Sequence, residues 1–133
     1  MSKENIRVAR EVFDAVRRQD SSRLVELTDP EVEWRSFFAV GEKEGVYRGH
    51  SGIRRYVADL NDAWEAVDPT LEDGLSVGAV VVLVGRLRYR GRGSGAESES
   101  QAGWCLTFRN GKVQRFRAFQ EPERTLEAAG LSE

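Results

Sequence analysis

The feature that most constrains the fold of this chain is an Asn-Gly pair between two strand-like segments. Asn110 and Gly111 are residue types that accept a positive φ at both central positions of a type I′ turn, so they predict a two-residue hairpin loop. The register of a hairpin decides which side chains share a face of the sheet. If the residues on either side of the loop pair directly, Trp104 lies opposite Arg117. The other face then carries Cys105, Thr107, Gln114, Phe116 and Ala118.

Hydrophobic periodicity predicts the remaining elements. Apolar residues recur at helical spacing in segments 3–18 and 51–64, and Asp20 is suited to cap a short helix between them. Residues 41–49 are expected to form a loop, and Pro69 is expected to end the region after the third helix. Alternating or continuous apolar runs predict strands at 32–37, 71–77, 79–89 and 96–108, before the final strand of the hairpin.

The order of these elements indicates the fold class. Two helices, a strand and a third helix precede four consecutive strands and a short terminal helix. Consecutive strands pair most simply as an antiparallel meander. The sequence therefore predicts an α+β fold, in which helices wrap a curved, mostly antiparallel sheet into a cone. At 133 residues the chain is expected to be a single domain spanning residues 1–133.

Composition argues against several classes of protein. The formal net charge of −2 gives no electrostatic reason to bind nucleic acid or an anionic membrane. A lone cysteine, Cys105, and a lone histidine argue against a disulfide and against a transition-metal site. The first residues lack the apolar core of a signal peptide, and the longest apolar run, 79–84, is too short to cross a bilayer. We therefore expect a cytoplasmic protein without metal or cofactor, and with neither nucleic acid nor membrane as a partner.

Five segments, in order along the chain, carry a resemblance to a known family. They are Asp-Pro-Glu-Val-Glu-Trp at 29–34, Tyr-Arg-Gly-His-Ser-Gly-Ile-Arg-Arg-Tyr at 47–56, Gly-Arg-Gly-Ser-Gly at 91–95, Phe-Arg-Asn-Gly-Lys-Val at 108–113 and Leu-Glu-Ala-Ala-Gly-Leu at 126–131. With them the chain resembles the SnoaL-like, polyketide cyclase-like branch of the nuclear transport factor 2-like superfamily. The resemblance implies a conical pocket, a homodimer packed through the outer sheet faces, and one of several chemistries or none.

The resemblance also allows the catalytic positions of relatives to be compared with this sequence. In ketosteroid isomerase-like members, the position of the general-base Asp corresponds to Trp34, and that of the protonated Asp to Cys105 or Trp104. The tyrosine of their oxyanion hole corresponds to Val12 or Phe13. None of these residues can take over the role, so steroid isomerisation is not implied. The Asp-Arg-Asp arrangement of related epoxide hydrolases cannot be assembled from this sequence either.

Two titratable residues are candidates for acid–base catalysis. SnoaL-type cyclases have an acidic residue near the end of the last strand, and by resemblance this is Glu121, since Gln120 cannot act as an acid. His50 has an ordinary pKa near neutrality and stands where a loop enters the third helix, at the expected rim of the pocket. Each also has a structural explanation. Glu121 could be a helix-start acid favoured by the helix dipole, and His50 a helix-start residue bonded to the backbone.

Aromatic and basic residues indicate a binding site. The predicted pair of Trp104 and Arg117 could hold an anionic or carbonyl-bearing ligand against the indole ring. Alternatively, Arg117 pairs with a core acid such as Glu33, and Trp104 only packs. The predicted ligand-binding residues for an apolar or aromatic molecule are Trp34, Phe37, Tyr56, Trp64, Trp104, Arg117 and Phe119. The same aromatic side chains could instead simply fill the cone.

Three functions therefore remain open from the sequence. The first is acid–base catalysis on a hydrophobic or aromatic polyketide-like substrate, with His50 and Glu121 as acid or base and Arg117 stabilising charge. The second is non-catalytic binding of a small molecule, anchored by Arg117 and Trp104. The third is a dimeric adaptor that binds proteins through the outer sheet face. Alternating arginines at 86–92 are better explained by a charged edge hairpin than by nucleic-acid binding.

Overall fold

The computed structural model describes residues 2–38, 45–128 and 130. Within these residues the chain forms four helices and six strands, in the predicted order but with one additional short strand. The helices are α1 (Ser2–Arg18), α2 (Ser21–Leu27), α3 (Gly49–Ala63) and α4 (Pro122–Ala128). The strands are β1 (Thr28–Arg35), β2 (Val46–Arg48), β3 (Trp64–Val77), β4 (Val80–Gly91), β5 (Glu97–Arg109) and β6 (Lys112–Phe119). The added strand, β2, lies in the segment that was predicted to be a loop, and residues 41–44 of that segment lie outside the described residues.

The six strands form one sheet in the order β2-β1-β6-β5-β4-β3. All neighbours are antiparallel except β1 and β6, which run parallel. The sheet does not close on itself, so β2 and β3 are its two edges. The prediction of an α+β fold with a mostly antiparallel sheet and packed helices is confirmed.

The first helices pack on the sheet because their apolar residues lie on one side. In α1, residues at helical spacing are buried, among them Val12 at 0% exposure and Phe13 at 2%. Asp20 caps α2 as predicted, because its side chain accepts a hydrogen bond from the Arg23 backbone N–H. At the other end of α2 the Thr28 hydroxyl donates to the Leu24 carbonyl at 2.8 Å, which leads the chain directly into β1.

The prediction that Pro69 ends the region after the third helix is wrong. β3 starts at Trp64, and Pro69 is a buried residue within it, paired with Leu87 of β4. A proline has no N–H to donate, so it is tolerated mainly in edge strands, and β3 is an edge. The register of β3 and β4 shifts between Leu71 and Asp73, and such irregularities bend a strand.

The predicted register of the final hairpin is correct for only two pairs. Arg109 pairs with Lys112 and Phe108 with Val113, but the register then shifts because Gln114 has no partner. Toward the open end of the hairpin, the next pairs are Thr107 with Arg115, Leu106 with Phe116, Cys105 with Arg117, and Trp104 with Ala118. A single inserted residue reverses the alternation of side chains beyond it.

The β-bulge has a physical reason in the composition of β6. Without it, Arg115 and Arg117 would share the inner face with Trp104, and burying unpaired guanidinium groups there would be costly. With it, Phe116 and Ala118 join Trp104 in the apolar core, at 3% and 7% exposure. The prediction that Phe116 and Ala118 lie on the outer face with Cys105 is therefore wrong.

Candidate functional site

The inner face of the sheet, together with α1 and α3, encloses an apolar cavity. Ten of the described residues line it: Phe13, Val16, Phe37, Phe38, Tyr56, Val67, Pro69, Leu87, Trp104 and Phe116. None of the ten carries a charge, and the Tyr56 hydroxyl and the Trp104 indole N–H are the two polar side-chain groups among them. The free space inside is about 20 Å³, room for roughly one water-sized sphere. The aromatic side chains therefore nearly fill the cone in this conformation.

A stack of aromatic rings forms one wall of the cone. Trp34 is 0% exposed and lies parallel to Phe116, with ring centroids 3.8 Å apart and an angle of 5° between the planes. The Tyr56 ring also contacts Trp34, with ring centroids 5.1 Å apart and an angle of 47° between the planes. Trp34 itself lies one layer behind the cavity surface, whereas Tyr56 and Phe116 reach it. Of the predicted ligand-binding residues, Phe37, Tyr56 and Trp104 line the cavity.

The polar groups of this wall are deeply buried. Burial raises the pKa of Tyr56 far above its usual range, and the neighbouring indole N–H of Trp34 only partly offsets this effect. Tyr56 is therefore a neutral phenol at physiological pH, able to donate or accept a hydrogen bond but not to act as a base. Within the described part of the chain, the indole nitrogen of Trp34 has no hydrogen-bond partner.

A second group of aromatic residues closes one end of the cavity. Phe38 stacks on Trp64 with ring centroids 4.8 Å apart, and it meets Tyr89 edge-on at 5.3 Å. Phe37 packs edge-on against Phe38, also at 5.3 Å. Trp64, predicted to bind ligand, does not line the cavity itself but packs on Phe38, which does, and on Tyr89. Phe38, Trp64 and Tyr89 are only half-buried, so these rings extend from the cavity toward the surface of the described part of the chain.

Arg117 and Phe119 do not reach the cavity, so the predicted pairing of Arg117 with Trp104 is wrong. The bulge in β6 places both residues on the outer face, where Arg117 lies opposite Cys105. The Arg117 guanidinium donates to the Ala128 carbonyl at 3.1 Å and lies 6.0 Å from the centre of the Phe119 ring. The alternative partner, Glu33, is instead bound by two other arginines, Arg48 at 2.7 Å and Arg115 at 3.1 Å.

The outer face offers no nucleophile at Cys105. The thiol is 2% exposed, and burial raises its pKa, although the nearby Arg117 acts in the opposite direction. Helix α4 is packed closely over this part of the sheet, since a Cβ atom added to Gly103 would lie 1.9 Å from the Thr125 hydroxyl oxygen.

His50 is bonded to the backbone rather than directed into the cavity. Its Nε2 lies 2.9 Å from the Thr28 carbonyl, to which the ring N–H donates, so that the start of α3 is tied to the start of β1. Beside it, Asp29 forms a two-pronged ion pair with Arg109, at 3.0 and 3.1 Å. The hydrogen bond from Arg109 holds the pKa of Asp29 below its usual range. This polar cluster joins β1, β5 and α3 outside the cone.

Glu121 lies just beyond the end of β6, on the exposed surface. Its carboxylate is 4.0 Å from Arg124 of α4, and its backbone carbonyl accepts a hydrogen bond from the Arg124 N–H. It does not line the cavity. Catalytic roles for His50 and Glu121 stay predictions, and the structure brings the two residues neither to the cavity nor into contact with each other.

Several lining residues were missed by the sequence analysis. Phe13 and Val16 could be recognised as buried, since both belong to the apolar stripe of α1. That stripe does not distinguish a residue that lines a cavity from any other core residue. Val67 and Pro69 were placed in a connecting segment, and Phe116 was assigned to the wrong face. No sequence pattern predicted that Phe38 lines the cavity; its aromatic side chain was the one indication.

Comparison with known proteins identifies the family. Residues 9–116 match the SnoaL-like domain family, and the chain belongs to it. Among solved structures, a SnoaL-like polyketide cyclase candidate from Jannaschia sp. CCS1 is 18% identical, with 99% of this chain and 95% of that chain covered and a TM-score of 0.76. No curated protein matches the sequence.

Two further structures were solved with small molecules. TerC, co-crystallised with polyporic acid, is 19% identical over 96% of this chain and 97% of that chain, with a TM-score of 0.75. A protein of ketosteroid isomerase-like fold from Catenulispora acidiphila, in complex with trimethylamine, is 15% identical over 94% and 93% of the two chains, with a TM-score of 0.76. At these identities the similarity establishes the fold alone.

The described residues contain neither a membrane-spanning helix nor a metal-binding cluster of acidic, His and Cys side chains. No helix among them is both long and apolar enough to cross a bilayer. Within the same residues, no group of three or more His, Cys, Asp or Glu side chains is placed to hold a metal ion.

Proposed function

We propose that this protein binds a small apolar or aromatic molecule inside the cone. The observation that carries the proposal is the cavity of ten residues without a charge, four of them phenylalanines. Such a lining is typical of sites that bury the body of an apolar ligand. Members of the SnoaL-like family commonly bind small molecules or act as cyclases or isomerases, which agrees with a ligand in this position.

Binding is better supported than acid–base catalysis. Among the described residues, Tyr56 is the one titratable residue that lines the cavity, and its raised pKa keeps it protonated. A general acid or base must come within hydrogen-bond distance of the reacting atom, directly or through one water. His50 and Glu121 lie elsewhere, and Arg117, the predicted charge stabiliser, is on the outer face. We therefore propose a ligand-binding protein and do not assign a proton-transfer step.

The ligand must displace side chains as it enters. The free space of about 20 Å³ is well below the volume of a benzene-sized cavity, about 150 Å³. Phe38 is the best candidate to move, because it is half-buried and connects the cavity to the solvent-facing rings of Trp64 and Tyr89. Its rotation would open the cavity without disturbing the stack of Trp34 on Phe116.

The proposal is tested by calorimetric titration of the wild-type protein with ethylbenzene, acetophenone and benzoate. We expect the two neutral molecules to bind and benzoate to bind at least about tenfold more weakly, because a carboxylate would lose its hydration without gaining a cation. Benzoate binding as tightly as the neutral molecules, or no binding by any of them, would contradict the proposal.

We also propose that the protein forms a homodimer through the outer face of the sheet. Leu75 and Val77 of β3 are 49% and 48% exposed, and they continue a row of valines on the outer side of β4. A dimer with twofold symmetry brings the same patch of each copy together, so this apolar surface would cover itself. Apolar surface at this position is otherwise left in contact with water.

The variant Leu75→Asp should shift the protein toward the monomer at micromolar concentration, because the dimer would bury a charge against an apolar surface. Ala58→Asp, on the exposed side of α3, is the matched control and should leave the assembly unchanged. Sedimentation velocity measures both. A wild-type monomer, or a Leu75→Asp protein that stays dimeric, would show that this face is not the interface.

A further inference from the structure

An unpaired hydrogen-bond donor lies in the wall of the cone. Four side-chain atoms among the described residues are buried without a hydrogen-bond partner: Trp34 Nε1, Ser76 Oγ, Arg90 Nε and Arg117 Nε. The last three belong to residues that are half-buried, whereas Trp34 is 0% exposed. A buried donor without a partner is unfavourable, and in native proteins it commonly marks a place where a water or a ligand completes the network.

The neighbouring side-chain group that could accept a hydrogen bond from this donor is the Tyr56 hydroxyl. The rings of Trp34 and Tyr56 lie 5.1 Å apart, and the indole N–H partly offsets the rise in the Tyr56 pKa, although Trp34 Nε1 forms no full hydrogen bond within the described residues. An indole can only donate, whereas a phenol can donate and accept. The Tyr56 oxygen is therefore the acceptor that suits the Trp34 indole N–H.

Such a bond determines what Tyr56 can offer to the cavity. When the phenol oxygen accepts from the indole, the phenol hydrogen is left for another acceptor, and donation is strengthened along a chain of hydrogen bonds. The other nine lining residues present no side-chain acceptor, since they are Phe, Val, Leu, Pro and Trp. Within the described part of the chain, no lining side chain can accept this hydrogen, so it is available to an acceptor on a molecule that occupies the cavity.

We infer that the ligand is a neutral aromatic compound with a carbonyl-type oxygen, which accepts a hydrogen bond from the Tyr56 hydroxyl, itself oriented by the Trp34 indole. This inference rests on the proposed function and adds the polar half of the ligand to it. The aromatic body would lie among Phe13, Leu87 and Trp104, and its oxygen would point toward α3. An anionic oxygen is disfavoured because Arg117 lies on the outer face.

The test compares Tyr56→Phe with Tyr47→Phe in calorimetric titrations with acetophenone and ethylbenzene. The Tyr47 ring packs edge-on against Tyr56 at 5.5 Å, but its hydroxyl donates to Asp59 at 2.7 Å and does not line the cavity. The two variants thus make the same chemical change inside and outside the site. We expect Tyr56→Phe to weaken acetophenone about tenfold and ethylbenzene less than about twofold, and Tyr47→Phe to change neither.

Each alternative outcome overturns the inference in a recognisable way. Equal loss for both molecules in Tyr56→Phe would mean that the hydroxyl supports the structure of the cone, and no loss for either would mean that no ligand oxygen lies there. Both results would leave binding itself intact. If the wild-type protein binds neither molecule, the proposed function fails as well.

A second measurement uses the wild-type protein and does not depend on the folding of a variant. The indole N–H signal of Trp34, assigned in the wild-type protein through its nuclear Overhauser contacts to the rings of Tyr56 and Phe116, should move in the heteronuclear NMR spectrum when acetophenone is added. Ethylbenzene should move it much less, because it cannot extend the hydrogen-bond chain. Equal movement with the two molecules would overturn the inference.

Discussion

Replacing Trp34 with alanine should lower the free energy of unfolding by about 4 kcal/mol, the typical cost of truncating a buried aromatic residue. Trp34 is fully buried, and the change would remove its stacking on Phe116 at 3.8 Å and its packing against Tyr56. The cavity left behind would lie inside the wall of the cone, where the strands of the sheet cannot easily collapse. Urea unfolding followed by circular dichroism measures the loss.

Trp64→Ala is the matched control for this prediction. The same ring is removed from a half-buried position at the start of β3, where it packs on Phe38 and Tyr89 but stays in contact with water. We expect a loss of about 2 kcal/mol, because less apolar surface is exposed and no closed cavity forms. Equal losses for the two variants would show that Trp34 does not occupy the centre of the core.

Replacing Gly85 with alanine should destabilise the protein by about 3 kcal/mol through overpacking. A Cβ atom at this position would lie 2.0 Å from the Thr70 carbonyl oxygen, and backbone atoms cannot rotate away as a side chain can. Gly85 faces Leu71 where the register of β3 and β4 shifts. Its close approach to Thr70 therefore allows β3 to bend across β4 and to bring Val67 and Pro69 to the cavity.

The control for Gly85→Ala is Gly74→Ala in the partner strand. There the added Cβ would meet the terminal Cδ2 atom of Leu83 at 2.7 Å, which a small side-chain rotation relieves. We expect the cost to stay below about 1 kcal/mol in the same urea titrations. If Gly85→Ala is no more harmful than Gly74→Ala, then the two strands are not in close contact at the bend.

The helices and the order of the strands could be predicted because they depend on local patterns. The apolar stripe of α1 and that of α3 repeat at the helical period, and the carboxylate of Asp20 caps the next helix within the same few residues. The hairpin turn at Asn110 and Gly111 could be predicted for the same reason, because it depends on the two residues that form it. Both residues have a positive φ, as the type I′ turn requires.

The face of each residue in β6 could not be predicted from the turn. A bulge at Gln114 inserts one residue beyond the first two pairs, and any residue type can occupy such a position. The consequence for the site was large, because Arg117 moved out of the predicted pocket and Phe116 moved in. The sequence does show that apolar Phe116 and Ala118 alternate with Arg115 and Arg117. This alternation indicates a bulge only when it is already known which face of the sheet is buried.

Contacts between distant segments were also beyond sequence reasoning. The ion pair of Asp29 and Arg109 joins residues 80 positions apart, and the bond from His50 to the Thr28 carbonyl spans 22. No periodicity links such positions, so His50 could be recognised as titratable but not placed. Of the six aromatic residues predicted to bind ligand, Phe37, Tyr56 and Trp104 line the cavity, because the apolar patterns that place them in the core also direct them inward.

The measurement that tests the central claim most directly is an isotope-filtered NMR experiment on labelled protein saturated with unlabelled ethylbenzene. Binding inside the cone predicts nuclear Overhauser contacts from the ligand to the methyl groups of Val16, Val67 and Leu87, which line the cavity. Contacts to Leu75 and Val77 on the exposed outer face instead, or none at saturation, would contradict the claim that the cone is the binding site.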